Sequence, residues 1–176
     1  MNSIKTIALS ILLALVLLSC GQKPQEKKRV TKDMLLEMNK KLVGAESEII
    51  EKYIEDKGLQ METSKTGYYY SVSNASSGDT IRINDHVILA YTTSLLDGTI
   101  CYSSATEGLM NFTVGKAQVE AGLEQFVQQL GPGSIAKLIL PPYLAHGVAG
   151  DGNKIPKLAI LVMDIEVVEV HRVPAE

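Results

Sequence analysis

The sequence has few of the residues on which metal, disulfide and covalent chemistry depend. Its 176 residues include only two cysteines and three histidines. No two histidines have the i, i+4 spacing of a helical zinc site, and no cysteine–histidine cluster occurs. The pattern Gly-x-Ser-x-Gly of serine hydrolases is also absent. We therefore expect no metal site and no nucleophilic triad.

Two motifs that carry chemistry in other proteins occur here in the wrong context. Residues 134–137 fit Ser-x-x-Lys and residues 65–67 fit Lys-Thr-Gly, which are patterns of penicillin-recognising enzymes. Their order is reversed, and Ser134 follows a Gly-Pro-Gly turn instead of beginning a helix. The same glycines follow a predicted helix instead of opening one, so they do not form a phosphate-binding loop.

Charge of one sign is not in large excess. The chain carries 17 basic and 20 acidic side chains, a net charge of −3. A mildly acidic chain lacks the positive surface by which proteins bind nucleic acids. The basic cluster at residues 27–29 therefore indicates a solvated linker, with at most a weak attraction to anionic lipids.

The longest apolar run lies at the N-terminus. Residues 7–18 follow Lys5 and are too few to cross a bilayer comfortably. The sequence Leu-Leu-Ser-Cys that ends at Cys20 is similar to a bacterial lipobox, whose cysteine becomes the lipidated N-terminus. We therefore predict a lipoprotein signal peptide at residues 1–19 and a lipid-anchored protein of the bacterial cell envelope that faces the periplasm. Ordinary secretory cleavage and an uncleaved anchor remain alternatives.

The other cysteine, Cys101, has no intramolecular partner if Cys20 carries lipid. An exposed free thiol is a liability outside the cytoplasm. We therefore expect Cys101 to be buried and unreactive.

An amphipathic helix is predicted after a polar linker at residues 20–30. Thr31 is a good N-cap and Gly58 a good terminator, which places the helix within residues 31–58. Apolar side chains recur three and four residues apart along one face: Leu35, Met38, Leu42, Ala45, Ile49 and Tyr53. This face packs either on the helix's own domain or on a second copy of the chain.

From residue 59 the apolar period changes to two residues, which predicts the strands of a domain over residues 59–171. Alternation is clear at residues 68–72 and 87–93, and Asp97-Gly98 predicts a hairpin before a strand near Ile100. Helical spacing between Val119 and Leu130 predicts one short helix. Further strands are predicted at residues 136–140 and 158–168. A curved antiparallel sheet wrapped around a single helix, an α+β fold, satisfies this order.

Several spaced motifs resemble the FKBP-type peptidyl-prolyl cis-trans isomerases. They are Leu-Leu-Asp-Gly-Thr at residues 95–99, Phe-Thr-Val-Gly at 112–115, Leu-Pro-Pro-Tyr-Leu-Ala-His-Gly at 140–147 and Ile-Pro at 155–156. The resemblance implies the FKBP-like fold and an isomerase activity that needs no cofactor. Residues 97–104 and 144–147 further resemble a subgroup of Bacteroidetes lipoproteins that includes gliding-motility-associated isomerases. Some periplasmic FKBP-type proteins dimerise through N-terminal helices, so the resemblance makes a homodimer through this helix plausible.

The resemblance also implies a pocket on matching positions. Its catalytic residues would be Tyr91, Tyr102, His146 and Ile155, and the Ile155 N–H would bind a substrate carbonyl. Its substrate-binding residues would be Cys101, Met110, Val119, Leu123 and Met163. Aromatic residues of the family are replaced at several of these positions, among them Leu123 and Met163. Leucine and methionine form a softer wall than rigid aromatic rings, which predicts weaker activity.

Three functions are compatible with these observations. The leading prediction is a membrane-tethered isomerase that assists the folding of exported proteins, with proline-containing or partly unfolded polypeptides as partners. The first alternative is a weakly active or inactive binding module or chaperone on the same fold. The second alternative is a structural envelope lipoprotein whose helix pairs with a partner.

Overall fold

The computed structural model describes residues 31–76 and 78–172. The predicted signal peptide, the lipidation site Cys20 and the linker to residue 30 lie outside the described residues. Within that part of the chain, no helix combines the length and apolar character that crossing a bilayer requires. The chain divides into two compact units, residues 1–38 and residues 39–176. The described part of the first unit is the beginning of the N-terminal helix.

The described elements alternate between strands and short helices after one long helix. In chain order they are α1 (Lys32–Asp56), β1 (Glu62–Thr63), β2 (Tyr69–Asn74), β3 (His86–Leu95), β4 (Ile100–Ser103), α2 (Ser104–Glu107), β5 (Met110–Thr113), α3 (Ala121–Val127), β6 (Ile135–Leu140), a 3₁₀ turn (Pro142–Leu144) and β7 (Leu161–His171). The predicted α+β class, the N-terminal helix and the short later helix are confirmed.

All strand pairs of the seven-stranded sheet are antiparallel. Six strands follow the order β1-β2-β6-β7-β3-β4, and β5 pairs with β3 beside this path. The long strand β3 pairs with β7 along its whole length, with β5 through its first half and with β4 through its second half. Asp97 and Gly98 close the β3–β4 hairpin as predicted. The N–H of Thr99 donates to Asp97 Oδ1 at 2.8 Å, and Gly98 takes a positive φ of 90°.

The larger core lies between one face of the sheet and α3. Val87, Leu89, Leu138 and Met163 from the strands and Phe126 from α3 are fully buried in it. The contact between α3 and β6 is close, since a Cβ on Gly122 would lie 2.3 Å from Leu140 Cδ2. The apolar residues of the predicted alternation along residues 87–93 therefore lie on the side of β3 that faces this core.

A second, smaller core lies on the opposite face of the sheet. Ile139 and Val162 alternate along their strands with residues of the larger core, so they point the other way. They pack with Ile50, Tyr69 and Ile160, and with the half-buried Tyr53 and Ile54. The second half of α1 thus covers the back of the sheet that α3 covers from the front.

The face of α1 that docks differs from the predicted apolar face. Ile50 is buried, whereas the predicted face positions Leu35, Met38, Leu42 and Ile49 are between 42% and 61% exposed. Most of the predicted apolar face is therefore uncovered. The prediction that α1 packs on its own domain holds for the second half of the helix, where Ile50 and the predicted face residue Tyr53 lie in the smaller core.

The last strand begins three residues later than predicted. Residues 158–160 precede β7, which starts at Leu161. Leu158 has a positive φ of 56°, and its N–H donates to the carbonyl oxygen of Gly147 at 2.9 Å instead of entering the sheet. Apolar spacing alone could not reveal this boundary, because the left-handed conformation at a leucine depends on the loop it contacts.

Candidate functional site

The structure brings the predicted apolar site residues into one cluster. Leu123, Met163, Cys101 and Ile155 are at most 3% exposed within it. Half-buried residues pack against them: Tyr91, Tyr102, Met110 and Val119. These side chains come from β3, β4, β5, β7, α3 and the adjoining loops, so the fold gathers positions that lie up to 72 residues apart. Their assignment to substrate binding or catalysis remains a prediction.

Cys101 forms part of the buried wall. Its thiol lies 3.6 Å from the carbonyl oxygen of Lys154, toward which it can donate. Burial is the main cause that raises the pKa of this thiol, and the Asp151 and Asp97 carboxylates raise it further. Because the thiolate is the reactive form, the buried thiol is poorly suited to nucleophilic chemistry. The predicted burial of Cys101 is confirmed.

A short hydrogen-bond network fixes one side of the site. The Tyr102 hydroxyl donates to Asp151 Oδ2 at 2.5 Å. Asp151 Oδ1 accepts the N–H groups of Asn153 and Ile155, each at 2.8 Å. Hydrogen bonding, above all from Tyr102, lowers the pKa of Asp151 to about 2, and the same bond raises the pKa of Tyr102. The wall beside Tyr102 therefore carries a permanent negative charge at neutral pH.

This network changes what Ile155 can do. The resemblance implies that the Ile155 N–H binds a substrate carbonyl, but here it donates to the Asp151 carboxylate. The loop is tightly closed, because a Cβ on Gly150 would lie 2.3 Å from the Ile155 carbonyl oxygen. In this structure Ile155 contributes its buried side chain to the site, and its N–H is already paired.

Charged side chains surround the mouth of the cluster. Lys154 Nζ lies 3.1 Å from Glu107 Oε1 and 4.6 Å from the centre of the Tyr102 ring. Burial raises the pKa of Tyr91, and the carboxylates of Glu107 and Glu120 raise it further. Tyr91 is held in place through its backbone, since its N–H donates to Ser104 Oγ at 3.2 Å. The site thus combines an apolar interior with a polar rim, as binding pockets commonly do.

His146 lies on the other side of the mouth. Its Nε2 is 3.1 Å from Glu120 Oε1, and both residues line a groove of about 390 Å³ with Met110 and Val119. Glu124 holds the loop next to this groove. Its Oε1 accepts three successive backbone N–H groups at 2.9 to 3.1 Å. Those donors are residues 115–117, the loop that leads into Val119.

Sequence reasoning missed the polar partners of the site. Asp151, Glu107, Glu120 and Lys154 are not among the residues that the sequence predicts for the site. Asp151 does form a turn, and its Asp-x-Asn spacing is a signal for a side chain that accepts backbone N–H groups. The bond to Tyr102 spans 49 residues, and no local pattern encodes it.

Another concavity, of about 400 Å³, lies on the back of the sheet. Ala90, Thr92, Lys137, Asp164 and Glu166 line it, and they alternate along their strands with core residues. Lys137 and Asp164 form an ion pair there. Its lining is mixed, with this ion pair beside apolar side chains such as Ile135 and Ile165, and the more apolar cluster on the α3 side is the better candidate site.

Comparisons with known proteins agree with this geometry. The family model for FKBP-type peptidyl-prolyl cis-trans isomerase matches residues 78–168. A probable FKBP-type isomerase of Haemophilus influenzae is 32% identical over 116 residues, which are 65% of this chain and 47% of that protein. The FKBP-type isomerase FkpA of Escherichia coli is 34% identical over 125 residues, which are 70% of this chain and 44% of that protein.

The fold agrees as well. The crystal structure of FkpA from Escherichia coli matches with a TM-score of 0.65 and 31% identity, covering 83% of this chain and 68% of that one. A curved antiparallel sheet around one short helix defines the class of FKBP-like domains. This chain belongs to the FKBP-type peptidyl-prolyl cis-trans isomerase family. It spans about half the length of the curated relatives that it matches.

Proposed function

We propose that this chain is a peptidyl-prolyl cis-trans isomerase that assists the folding of exported proteins. The observation that carries the proposal is the apolar cluster of Leu123, Met163, Cys101 and Ile155, edged by Tyr91, within a domain of this family. Its substrates would be X–Pro bonds in partly unfolded polypeptides.

The chemistry requires stabilisation of a twisted amide and no covalent step. Rotation about an X–Pro bond crosses a barrier of about 18–20 kcal/mol, because twisting breaks the amide resonance. A twisted amide has a less polar carbonyl, so a dry apolar pocket favours it over the planar form. Tyr91 and Val119, which are half-buried, would contact the prolyl ring, whereas Leu123 and Met163 have no exposed surface and would reach it only after the cluster opens.

The polar residues would orient the substrate chain. His146 is half-exposed at the mouth, but its Nε2 lies 3.1 Å from Glu120 Oε1, so donation to a substrate carbonyl would use Nδ1 or require that contact to exchange. The Tyr102 hydroxyl already donates to Asp151, so its predicted catalytic role would require that bond to exchange. Because the Ile155 N–H is paired in the same way, carbonyl binding would depend on other donors.

Exchange between the cis and trans forms of X–Pro peptides, measured by NMR, tests the proposal. We expect faster exchange with the domain present and its loss in Tyr91→Ala. Tyr53→Ala is the matched control, since Tyr53 is equally half-buried but packs in the smaller core behind the sheet. Line shifts without faster exchange would reject catalysis.

That result would leave a binding module, the second candidate function. Two observations favour it: leucine and methionine occupy pocket positions that are aromatic in the family, and the Ile155 N–H is paired with Asp151. Both reduce the means of stabilising a twisted amide while leaving an apolar surface for an extended chain.

We also propose that the protein is lipid-anchored through Cys20 and faces the periplasm. The bacterial relatives and the lipobox-like sequence before Cys20 support this location. Labelling with a radioactive fatty acid should mark the natural chain and not a Cys20→Ala chain. Equal labelling of both would reject the anchor.

The uncovered face of α1 supports a homodimer. Met34, Leu35, Met38 and Leu42 are all more than 40% exposed along this helix. Apolar side chains repeated at this spacing bury well against a second helix. Pairing through α1 would also suit the remaining alternative, a structural envelope lipoprotein, whose partner would then be a different chain.

A further inference from the structure

One buried carboxylate has no partner on its Oε2 atom, and it lies outside the isomerase pocket. Glu46 on α1 is only 7% exposed, and its Oε2 has no hydrogen-bond partner among the residues that the structure describes. Burial raises the pKa of this carboxyl group. Buried carboxylates are costly unless a cation or donor satisfies them, so this one calls for a physical explanation.

Glu46 lines a mainly apolar groove of about 260 Å³. One wall belongs to α1 and the other to the 3₁₀ turn, the loop after it and the segment before β7. The lining residues are Asn39, Leu42, Val43, Pro142, Tyr143, Gly147, Val148 and Leu158. The volume is below that of a typical drug-sized site and suits one or two side chains.

The groove also contains an unusual backbone. Leu158 adopts a left-handed conformation with φ of 56°, which is unfavourable for a branched side chain. Its side chain remains 45% exposed, and that of Val148 is 73% exposed. Strained residues and uncovered aliphatic groups around a buried carboxylate are typical of a surface shaped for a ligand.

We propose that this groove binds a lysine or arginine side chain of an extended polypeptide. Both side chains have an aliphatic stem that can lie on Leu42, Val43 and Leu158, and a cationic end that can reach Glu46. A cation would pair with the carboxylate more strongly than a neutral donor would, while its stem covers the apolar walls. This inference goes beyond the proposed isomerase function, because the bound segment needs no proline.

The groove and the isomerase pocket share one loop. Gly147 and Val148 line the groove, and the preceding residue His146 lines the mouth of the pocket. A polypeptide held in the groove would therefore lie beside the pocket, where a later segment of the same chain could enter it.

Fluorescence anisotropy with a labelled, proline-free peptide of leucine, serine and lysine tests the proposal. We expect binding that is about tenfold weaker when the lysines are acetylated, and about tenfold weaker to Glu46→Gln, as expected for a lost bond to a charged group. Glu48→Gln is the matched control, because Glu48 is exposed on the same helix. Unchanged affinity in Glu46→Gln would overturn the proposal.

A second variant keeps the test decisive if Glu46→Gln does not fold. Val148→Lys adds a positive charge at the exposed rim and should weaken binding of the lysine peptide, whereas Val168→Lys on the exposed side of β7 should not.

Methyl NMR should show peptide-induced shifts at Val43 and Leu158. Peptide-induced shifts at Leu123 and Met163 instead would overturn the proposal in favour of binding at the isomerase site. Groove shifts that depend on protein concentration alone would overturn it in favour of a second copy of the chain. The probe lacks proline, so failure of isomerase activity would not affect this result.

Discussion

At the scale of single residues, Tyr102 and Asp151 decide the charge of the site. The family resemblance assigned Tyr102 to a catalytic position, but its hydroxyl is used to hold a carboxylate at 2.5 Å. That carboxylate in turn pairs the N–H of Ile155. Two expected substrate donors are therefore engaged by a residue whose role the sequence did not reveal.

Tyr102→Phe should raise the pKa of Asp151 from about 2 toward the ordinary value of about 3.9. A depressed pKa in the folded state stabilises the protein above the unfolded pKa, and this contribution is lost as the pH falls through the folded pKa. The difference in stability between the natural chain and the variant should therefore exist at pH 5–7 and disappear as the pH falls from about 4 to about 2. Carbon-detected NMR titration of Asp151 measures the pKa directly.

Tyr70→Phe is the control for this measurement. Tyr70 also donates to a carboxylate, Glu62 Oε2 at 2.9 Å, but on the edge strand β1. Its removal should leave the titration of Asp151 unchanged. An Asp151 midpoint that is the same in Tyr102→Phe as in the natural chain would contradict the assigned hydrogen bond.

The sequence could predict the apolar residues of the site but not their polar partners. Alternation along β3 and helical spacing along α3 placed Leu89 and Leu123 in the core, because periodicity reports which side of an element is buried. The resemblance placed Met163 and Ile155. Pairs such as His146–Glu120 join residues 26 apart through a tertiary contact, and their geometry exists only in the folded chain.

At the scale of elements, α1 has two apolar faces, of which one packs on the sheet and the other is largely exposed. The face that includes Ile50 packs on Tyr69, Ile139 and Val162, whereas the neighbouring Ile49 is 51% exposed. The sequence predicted the helix and the docked residue Tyr53 but not Ile50, because a run of Ile49-Ile50 is compatible with either face. The apolar residues on the back of β6 and β7, Ile139 and Val162, determine which face of α1 docks. They alternate along their strands with residues of the larger core and therefore lie outside it.

Ile50→Ala should therefore lower the free energy of unfolding by about 2–5 kcal/mol, as truncations of buried isoleucines do. Ile49→Ala is the matched control and should change it by no more than about 0.5 kcal/mol, as expected for an exposed position. Urea denaturation followed by circular dichroism measures both. Equal losses in the two variants would show that α1 is not docked on the side of Ile50.

At the scale of the whole molecule, α3 covers one face of the sheet and the second half of α1 covers part of the other, while the first half of α1 carries several exposed apolar side chains, among them Leu35 and Met38. Such a surface is unfavourable in water unless a partner covers it. We propose that a second copy of the chain covers this surface. Removing the whole helix would not test pairing cleanly, because the chain starting at Leu59 would also lose Ile50 and expose the smaller core.

Substitution of the exposed apolar residues is the sharper test. Leu35→Lys together with Met38→Lys should convert a dimer of the chain from Gly21 onward into a monomer in sedimentation equilibrium, while leaving the smaller core intact. Each buried leucine or methionine contributes about 1.5–3 kcal/mol, and a symmetric dimer loses every contact twice. The control exchanges the charges of Glu37 and Lys41, which changes the helix surface without removing an apolar side chain. If the natural chain sediments as a monomer at every concentration, or if the double lysine variant remains a dimer, α1 does not pair two copies through this face.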